Sequence, residues 1–122
     1  MFYTLYTRTR APTAGVISVT EPLSVTAANS GKTYSLDSAT ARIDLPARGD
    51  ISAGWTITMQ CTVIGRYCVV QSGDVGAGAL QFGGDDYDGI LLDSLDATVG
   101  VIFSGTIYEI TFASGTVMGY LD

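Results

Sequence analysis

Hydrophobic and polar residues alternate over much of the chain, and glycine-rich breaks interrupt the alternation. The clearest case is residues 55–63, where large apolar side chains occupy every second position and threonine or glutamine stands between most of them. This period of two is typical of a β-strand with one packed face and one face in water. The side chains predicted to lie in the core here are Trp55, Ile57, Met59, Cys61 and Val63.

The segment after this strand predicts a hairpin over residues 55–71. Gly65 is the residue in the turn that most easily takes a positive φ, and residues 68–71 form the returning strand. Cys61 and Cys68 would then lie on opposite arms of the hairpin, within reach of each other. Two interpretations stay open for them: a possible disulfide, or two buried thiols acting as small apolar residues. A zinc site is disfavoured because the chain has no histidine and no further cysteine.

Further short strands are predicted between turns rich in glycine, asparagine and aspartate. No segment shows a 3.6-residue period over three turns, so we expect essentially no α-helix. Residues 72–78 and the acidic stretch 85–89 are predicted to be loops. The predicted fold class is all-β: a small antiparallel β-sandwich or barrel-like domain with an extended N-terminal arm.

The first twenty residues show little period, and we interpret residues 1–20 as that arm. Residues 21–122 are then a single β-domain, because a chain of 122 residues has room for one core. Such an arm is either disordered or becomes ordered on an acidic protein surface, with aromatic anchors and arginines that reach carboxylates. The candidate residues of this docking arm are Phe2, Tyr3, Tyr6, Arg8 and Arg10.

Charge and composition narrow the function classes. Charged residues make up 15% of the chain, against roughly 25% in an average soluble domain. This low charge density fits a well-packed β-domain with a surface of threonine, serine and glycine, or a domain whose apolar and tyrosine-bearing surface other subunits cover. We favour the second interpretation because small two-sheet domains have exposed edges. The net charge is −6, and residues 62–122 carry eight acidic residues against one basic residue. Nucleic-acid binding is disfavoured because phosphates need cations, and the acidity equally disfavours an anionic membrane surface.

No apolar run approaches the roughly 18 to 20 residues that a membrane helix needs. The first residues have arginine after a short apolar start, so we expect no secretory signal and a chain that begins at its own Met1. Without histidine, Ser-His-Asp and Cys-His catalytic units cannot form. A catalytic carboxylate pair is the remaining alternative, and Asp85, Asp86 and Asp88 are the densest acidic group, but acids in a glycine-rich turn are usually solvated. We therefore expect no enzyme activity and no cofactor.

Metal binding at the acidic stretch is a weak candidate. Asp86 and Asp88, followed by Gly89, resemble part of a calcium loop. Gly84 and Leu95 stand where an EF-hand has its first aspartate and its closing glutamate, which excludes an EF-hand. What remains is a weak surface Ca²⁺ site at Asp86 and Asp88 that subunits could share.

Five segments follow one another along the chain: GKTYSL at 31–36, ARIDLP at 41–46, AGWTIT at 53–58, LQFGG at 80–84 and VIFSGTIYEI at 101–110. Their order resembles that in the small β-domains of tailed-bacteriophage virion proteins: head fibres, capsid decoration proteins and tail-fibre tips. The resemblance covers about residues 30–112. Family domains often have tryptophan in the last aromatic strand, where this chain has Tyr108, and the two cysteines are not part of the family pattern.

The resemblance implies a non-enzymatic virion structural protein. It would be a capsid decoration (cement) or head-fibre protein that stabilises the capsid exterior as a homotrimer, with the major capsid protein as its partner. Its place would be the capsid surface of the virion, after assembly in the host cytoplasm. The alternative is a receptor-binding tip module of a tail fibre that recognises a host surface glycan or protein through loops at residues 72–89. A weaker rival is a carbohydrate-binding domain of a secreted enzyme, which the lack of a signal peptide disfavours.

Overall fold

A computed structural model of the chain describes residues 15–122, apart from the side chain of Phe112. Twelve short strands form two sheets in this part of the chain. The strands are β1 (Val16–Val19), β2 (Pro22–Ser24), β3 (Thr33–Leu36), β4 (Arg42–Asp44), β5 (Thr56–Cys61), β6 (Arg66–Val69), β7 (Leu80–Phe82), β8 (Asp85–Tyr87), β9 (Gly89–Leu92), β10 (Thr98–Phe103), β11 (Tyr108–Ser114) and β12 (Val117–Tyr120). The five candidate residues of the arm lie outside the described residues.

The predicted all-β sandwich is confirmed. One sheet has seven strands in the order β1-β3-β5-β10-β11-β7-β8, and the other has five in the order β12-β9-β6-β4-β2. Both sheets are mixed rather than purely antiparallel, since β1-β3, β3-β5, β2-β4, β4-β6 and β7-β11 pair in parallel. The helical segments of residues 15–122 are single 3-10 turns at Ala27–Asn29, Arg48–Asp50 and Ser72–Asp74.

Four of these parallel pairs, those among β1–β6, arise because the chain changes sheet after each of its first six strands. β1, β3 and β5 fall side by side in the seven-stranded sheet, and β2, β4 and β6 fall side by side in the five-stranded sheet. The starts of the first set and the ends of the second set therefore lie at the same end of the sandwich. Contacts across this end include the bond from Trp55 Nε1 to the carbonyl of Thr26, at 3.0 Å.

The predicted hairpin over residues 55–71 is wrong. β5 pairs with β3 and β10, whereas β6 pairs with β4 and β9 in the other sheet. The intervening residues 62–65 cross from one sheet to the other instead of turning back within one sheet. Gly65 does take a positive φ of 86°, and its N–H donates to the carbonyl of Leu92 at 2.8 Å. A short glycine-containing turn can connect two strands of one sheet or two strands of opposite sheets, so the local pattern did not distinguish a hairpin from a sheet crossing.

The cysteines consequently lie on strands of opposite sheets. Cys61 and Cys68 are both free and both buried, so the structure has two core thiols and not the possible disulfide. Burial raises the pKa of the Cys68 thiol to about 12. Burial also raises the pKa of the Cys61 thiol, against a smaller opposing effect of the Arg66 charge.

The second half of the chain contains two hairpins, β7–β8 and β10–β11. The predicted turn at Ser104 and Gly105 joins β10 to β11 as an antiparallel pair, with Gly105 at a φ of 111°. The acidic stretch predicted as a loop is partly a strand, because residues 85–87 form β8 and pair with β7. The arm is also shorter than the predicted residues 1–20, since residues 16–19 form β1.

The core lies between the two sheets and draws on nearly every strand. Four of the five side chains predicted for the β5 face are buried: Trp55, Ile57, Met59 and Cys61. Val63 is only half-buried, because β5 ends at Cys61 and residue 63 belongs to the sheet crossing. Tyr108, fully buried, meets Trp55 edge-on at a centroid distance of 6.0 Å.

Candidate functional site

The outer face of the five-stranded sheet combines aromatic and charged side chains. On β4 the outward positions are Arg42 and Asp44, because the buried Ile43 between them points into the core. The same alternation turns Tyr67 outward on β6 and Tyr120 outward on β12. Strand pairing sets Arg42 opposite Tyr67, so the four side chains share one surface. We call these four residues the groove floor.

The two tyrosines of the groove floor form a stacked pair. The ring centroids of Tyr67 and Tyr120 are 5.0 Å apart, and the ring planes differ by 24°. β9 runs between their strands, and its residue opposite Tyr120 is Gly89, which has no side chain to separate them. A Cβ at Gly89 would lie 2.0 Å from the carbonyl oxygen of Cys68, so this position requires glycine.

The two charged residues of the groove floor form an ion pair. Arg42 Nε lies 2.8 Å from Asp44 Oδ1, and the second bond, from a terminal nitrogen to Oδ2, is 3.4 Å long. The Asp44 carboxylate raises the pKa of Arg42, and the nearby Tyr67 hydroxyl adds to this effect. The side chains are 41% and 26% exposed, so the pair is held in place yet open to solvent.

Walls beside the floor turn the face into a groove of about 540 Å³, within the range of roughly 300 to 1,000 Å³ typical of ligand sites. One wall, Pro46 and Ala47, follows β4, and the other, Gln71, Ser72 and Val75, follows β6. The Tyr108 hydroxyl donates to the Pro46 carbonyl at 2.5 Å, which fixes the first wall to the core.

The two calcium candidates have structural contacts of their own. Asp88 is 5% exposed, and its carboxylate accepts N–H bonds from Gly76 at 2.8 Å and from Asp122 at 2.9 Å. It thereby ties the glycine-rich loop and the last residue to the edge of the groove. Asp86 is exposed and accepts a bond from the Gln81 amide at 3.0 Å. Residues 15–122 contain no group of three or more acidic, cysteine or histidine side chains placed to hold a metal ion.

The predicted functional segments converge only in part. β1 starts at the end of the sandwich where β4 and β6 end, and the walls of the groove follow those two strands. The candidate arm residues lie outside the described part of the chain. The predicted binding loops at 72–89 contribute Ser72 and Val75 to one wall. The groove floor itself was missed. The outward positions of β4 were visible as alternating polar residues, but their meeting with Tyr67 depends on a parallel pairing that local patterns do not show.

Comparisons with known proteins add no family. A scan against protein-family models finds no match, and a search of curated proteins finds none either. No helix within residues 15–122 is long and apolar enough to cross a membrane.

Proposed function

We propose that this chain is a non-enzymatic virion structural protein, a capsid decoration (cement) or head-fibre protein of a tailed phage. It stabilises the capsid exterior as a homotrimer, with the major capsid protein as its partner. Its place is the capsid surface of the virion, reached by assembly in the host cytoplasm. The resemblance of residues 30–112 suggests this role, and the observation that carries the proposal is the open edge strand β1.

β1 pairs with β3 on one side, and no strand of residues 15–122 covers its other side. An open edge presents unpaired backbone N–H and C=O groups, onto which a strand of another chain can add. The sequence of β1 is Val-Ile-Ser-Val, without charge, and Ile17 is 39% exposed. The opposite edge strand, β8, carries the exposed Asp85 and Asp86, and charge of this kind discourages edge pairing. This difference in charge is what we expect if β1 pairs with another chain and β8 is protected from such pairing.

The arm strengthens this assignment. Residues 1–14 come immediately before Gly15 and β1 in the sequence, so the arm and the open edge belong to one continuous segment of the chain. The arm contains Arg8 and Arg10 and no acidic residue. Its aromatic residues supply anchors, and its arginines supply charge-assisted bonds to carboxylates on a capsid protein.

The test is sedimentation of the purified protein with undecorated capsids and, separately, with host cells. We expect stoichiometric binding to capsids and no binding to cells; binding to cells without binding to capsids would overturn the proposal. Replacing Arg8 and Arg10 by glutamate should abolish capsid binding while circular dichroism stays unchanged. Replacing Arg8 and Arg10 by lysine, which keeps both positive charges, is the matched control and should retain most of the binding.

The homotrimer is tested by light scattering after gel filtration. We expect a trimer at micromolar concentration, and a monomer there would contradict the assembly role of β1. Ile17→Lys places a charge on the open edge and should dissociate the trimer without unfolding the domain, because the side chain is already part-exposed. Ile64→Lys, at another exposed apolar residue, is its control.

The second candidate function is a receptor-binding tip module of a tail fibre. The observation that favours it is the groove, which has the size and mixed chemistry of a ligand site. Cell binding without capsid binding in the sedimentation experiment would select this candidate.

A further inference from the structure

We propose that the groove on the outer face of the five-stranded sheet binds a neutral saccharide. The Tyr67–Tyr120 pair is the platform for a sugar ring, and the Arg42–Asp44 pair contacts the sugar hydroxyls. The inference does not rest on the capsid role. It gives a glycan contact to a decoration protein and to a receptor-binding tip alike.

The platform comes from the stacked tyrosines. Each ring is half-buried and is held by the other at a centroid distance of 5.0 Å. Tyrosine combines an apolar ring with a polar tip, and it contributes contact area with few rotatable bonds to immobilise. A pyranose ring has the matching character, because one face carries mainly C–H bonds while its rim carries hydroxyls.

The polar partners come from the ion pair. The guanidinium of Arg42 has five N–H donors, and its bonds to Asp44 use two of them. The Asp44 carboxylate keeps acceptor capacity beyond these two bonds. The pair therefore offers donors and acceptors side by side in a fixed arrangement. Neighbouring sugar hydroxyls, each of which donates and accepts, match such a row, and the fixed arrangement lowers the ordering cost of binding.

The charges that line the groove favour a neutral sugar over an anionic or a cationic ligand. The groove lining contains one guanidinium and two carboxylates, those of Asp44 and Asp122, in a chain of net charge −6. Phosphates and acidic sugars are repelled by this balance. A cationic peptide would place its charges beside the Arg42 guanidinium, which repels them. An uncharged ligand rich in hydroxyls meets neither obstacle.

The experiment is ligand-observed saturation-transfer NMR on the full chain, followed by calorimetry. The probes are trisaccharides of glucose, galactose, mannose and N-acetylglucosamine, with inorganic phosphate and a tri-arginine peptide as charged comparisons. We expect at least one neutral trisaccharide to bind. Tyr67→Ala and Arg42→Ala should each weaken that binding about tenfold or more, which corresponds to about 1.4 kcal/mol. Tyr67→Phe, which keeps the ring, should retain most of the affinity.

Thr58→Ala, on the outer face of the opposite sheet, is the control and should leave the affinity unchanged. Circular dichroism and thermal unfolding check that every variant is folded. The proposal is overturned if no trisaccharide binds, if binding survives both alanine variants, or if the charged probes alone bind. Capsid sedimentation of the same variants distinguishes the two proposals, since loss of sugar binding with normal capsid binding leaves the capsid role intact.

Discussion

The outer faces of the two sheets differ although their inner faces are alike. The seven-stranded sheet shows water mainly small hydroxyl and amide side chains, such as Thr58 and Gln60 of β5. At one end of this face Asp37 accepts bonds from three hydroxyls, which belong to Ser18 at 2.5 Å, Ser35 at 2.6 Å and Thr62 at 2.9 Å. The five-stranded sheet shows water two tyrosines and an ion pair beside a groove.

The outer face of the seven-stranded sheet has the composition that a stable sheet needs, and the outer face of the five-stranded sheet has additional features. Threonine suits a pleated, half-exposed strand, so a face of hydroxyl residues is sufficient for a stable sheet. Half-exposed aromatic rings and a solvent-open ion pair add little stability for the surface they present to water. We therefore expect the ion pair to matter more for the proposed ligand binding than for the stability of the fold.

The largest expected effect is the protection of the two buried cysteines from thiol reagents, which tests whether the inner faces of the two sheets are equally buried. Cys61 comes from the seven-stranded sheet and Cys68 from the five-stranded sheet, and both are buried. Thiol-specific reagents should therefore react with both cysteines about a thousandfold or more slowly in the folded protein than in the unfolded chain, because reaction requires opening of the core. Ellman's reagent with and without guanidinium measures this. Rapid reaction of one cysteine in the folded protein would show that the two inner faces differ.

The next effect is on the five-stranded sheet itself. Gly89→Ala should destabilise the protein by about 3 kcal/mol, because the new Cβ would meet backbone at 2.0 Å and the strand must shift. Urea unfolding gives the change in the free energy of unfolding. Gly49→Ala is the control, since an added Cβ there meets nothing within 4 Å and φ is not positive. Equal stability of the two variants would contradict the described path of β9.

The tyrosine pair should show a coupling of about 1 kcal/mol between Tyr67 and Tyr120. The measurement is a double-mutant cycle of the two alanine variants in urea unfolding, which isolates the pairwise contribution. The pair Tyr67 and Tyr87 provides the reference cycle, for which we expect no comparable coupling. A coupling of zero would mean that the rings do not stack in solution, and the sugar platform would be lost with it.

Asp37, on the outer face of the seven-stranded sheet, should make the stability of the protein depend on pH. Burial alone would raise its pKa, but the hydroxyl bonds of Ser18, Ser35 and Thr62 outweigh this and lower the pKa. The ionised form is therefore favoured in the folded protein, and the stability it contributes is present above the unfolded pKa of roughly 3.9 and lost as pH falls through the lower folded value.

Asp37→Asn should accordingly lower the melting temperature at pH 7, and the difference from the natural chain should shrink as the pH falls from 5 to 2. Thermal unfolding at several pH values measures this. Asp93→Asn, which changes an exposed aspartate in a loop, is the control and should show no such trend. A difference that stays constant with pH would refute the role of the hydroxyl bonds.

The smallest effect is expected at the ion pair. Arg42→Ala should change the free energy of unfolding by about 0.5 kcal/mol or less, because the pair is solvent-open. The same variant is expected to weaken sugar binding strongly. Urea unfolding and calorimetry on one preparation compare the two effects. A loss of several kcal/mol in stability would make the pair a structural element and would remove the contrast between the faces.

The sequence was sufficient for the strands and for some turns. The alternation around Ile57 and Met59 predicted a strand with one buried face, and the turn at Ser104 and Gly105 predicted the β10–β11 hairpin. Both follow from local chemistry, since side chains alternate along any strand and glycine permits tight turns. The arm residues and the virion role remain predictions.

Strand pairing was the part that local chemistry did not contain. The turn around Gly65 could serve a hairpin or a sheet crossing, and the choice depends on which surfaces meet across the core. The tertiary structure made it a crossing, which separated Cys61 from Cys68 and set Arg42 beside Tyr67. The sequence alone thus determined which side chains face inward and where the chain turns, because these depend on neighbouring residues. The tertiary structure decided which strands pair and hence where the groove lies, because pairing depends on residues far apart in the chain.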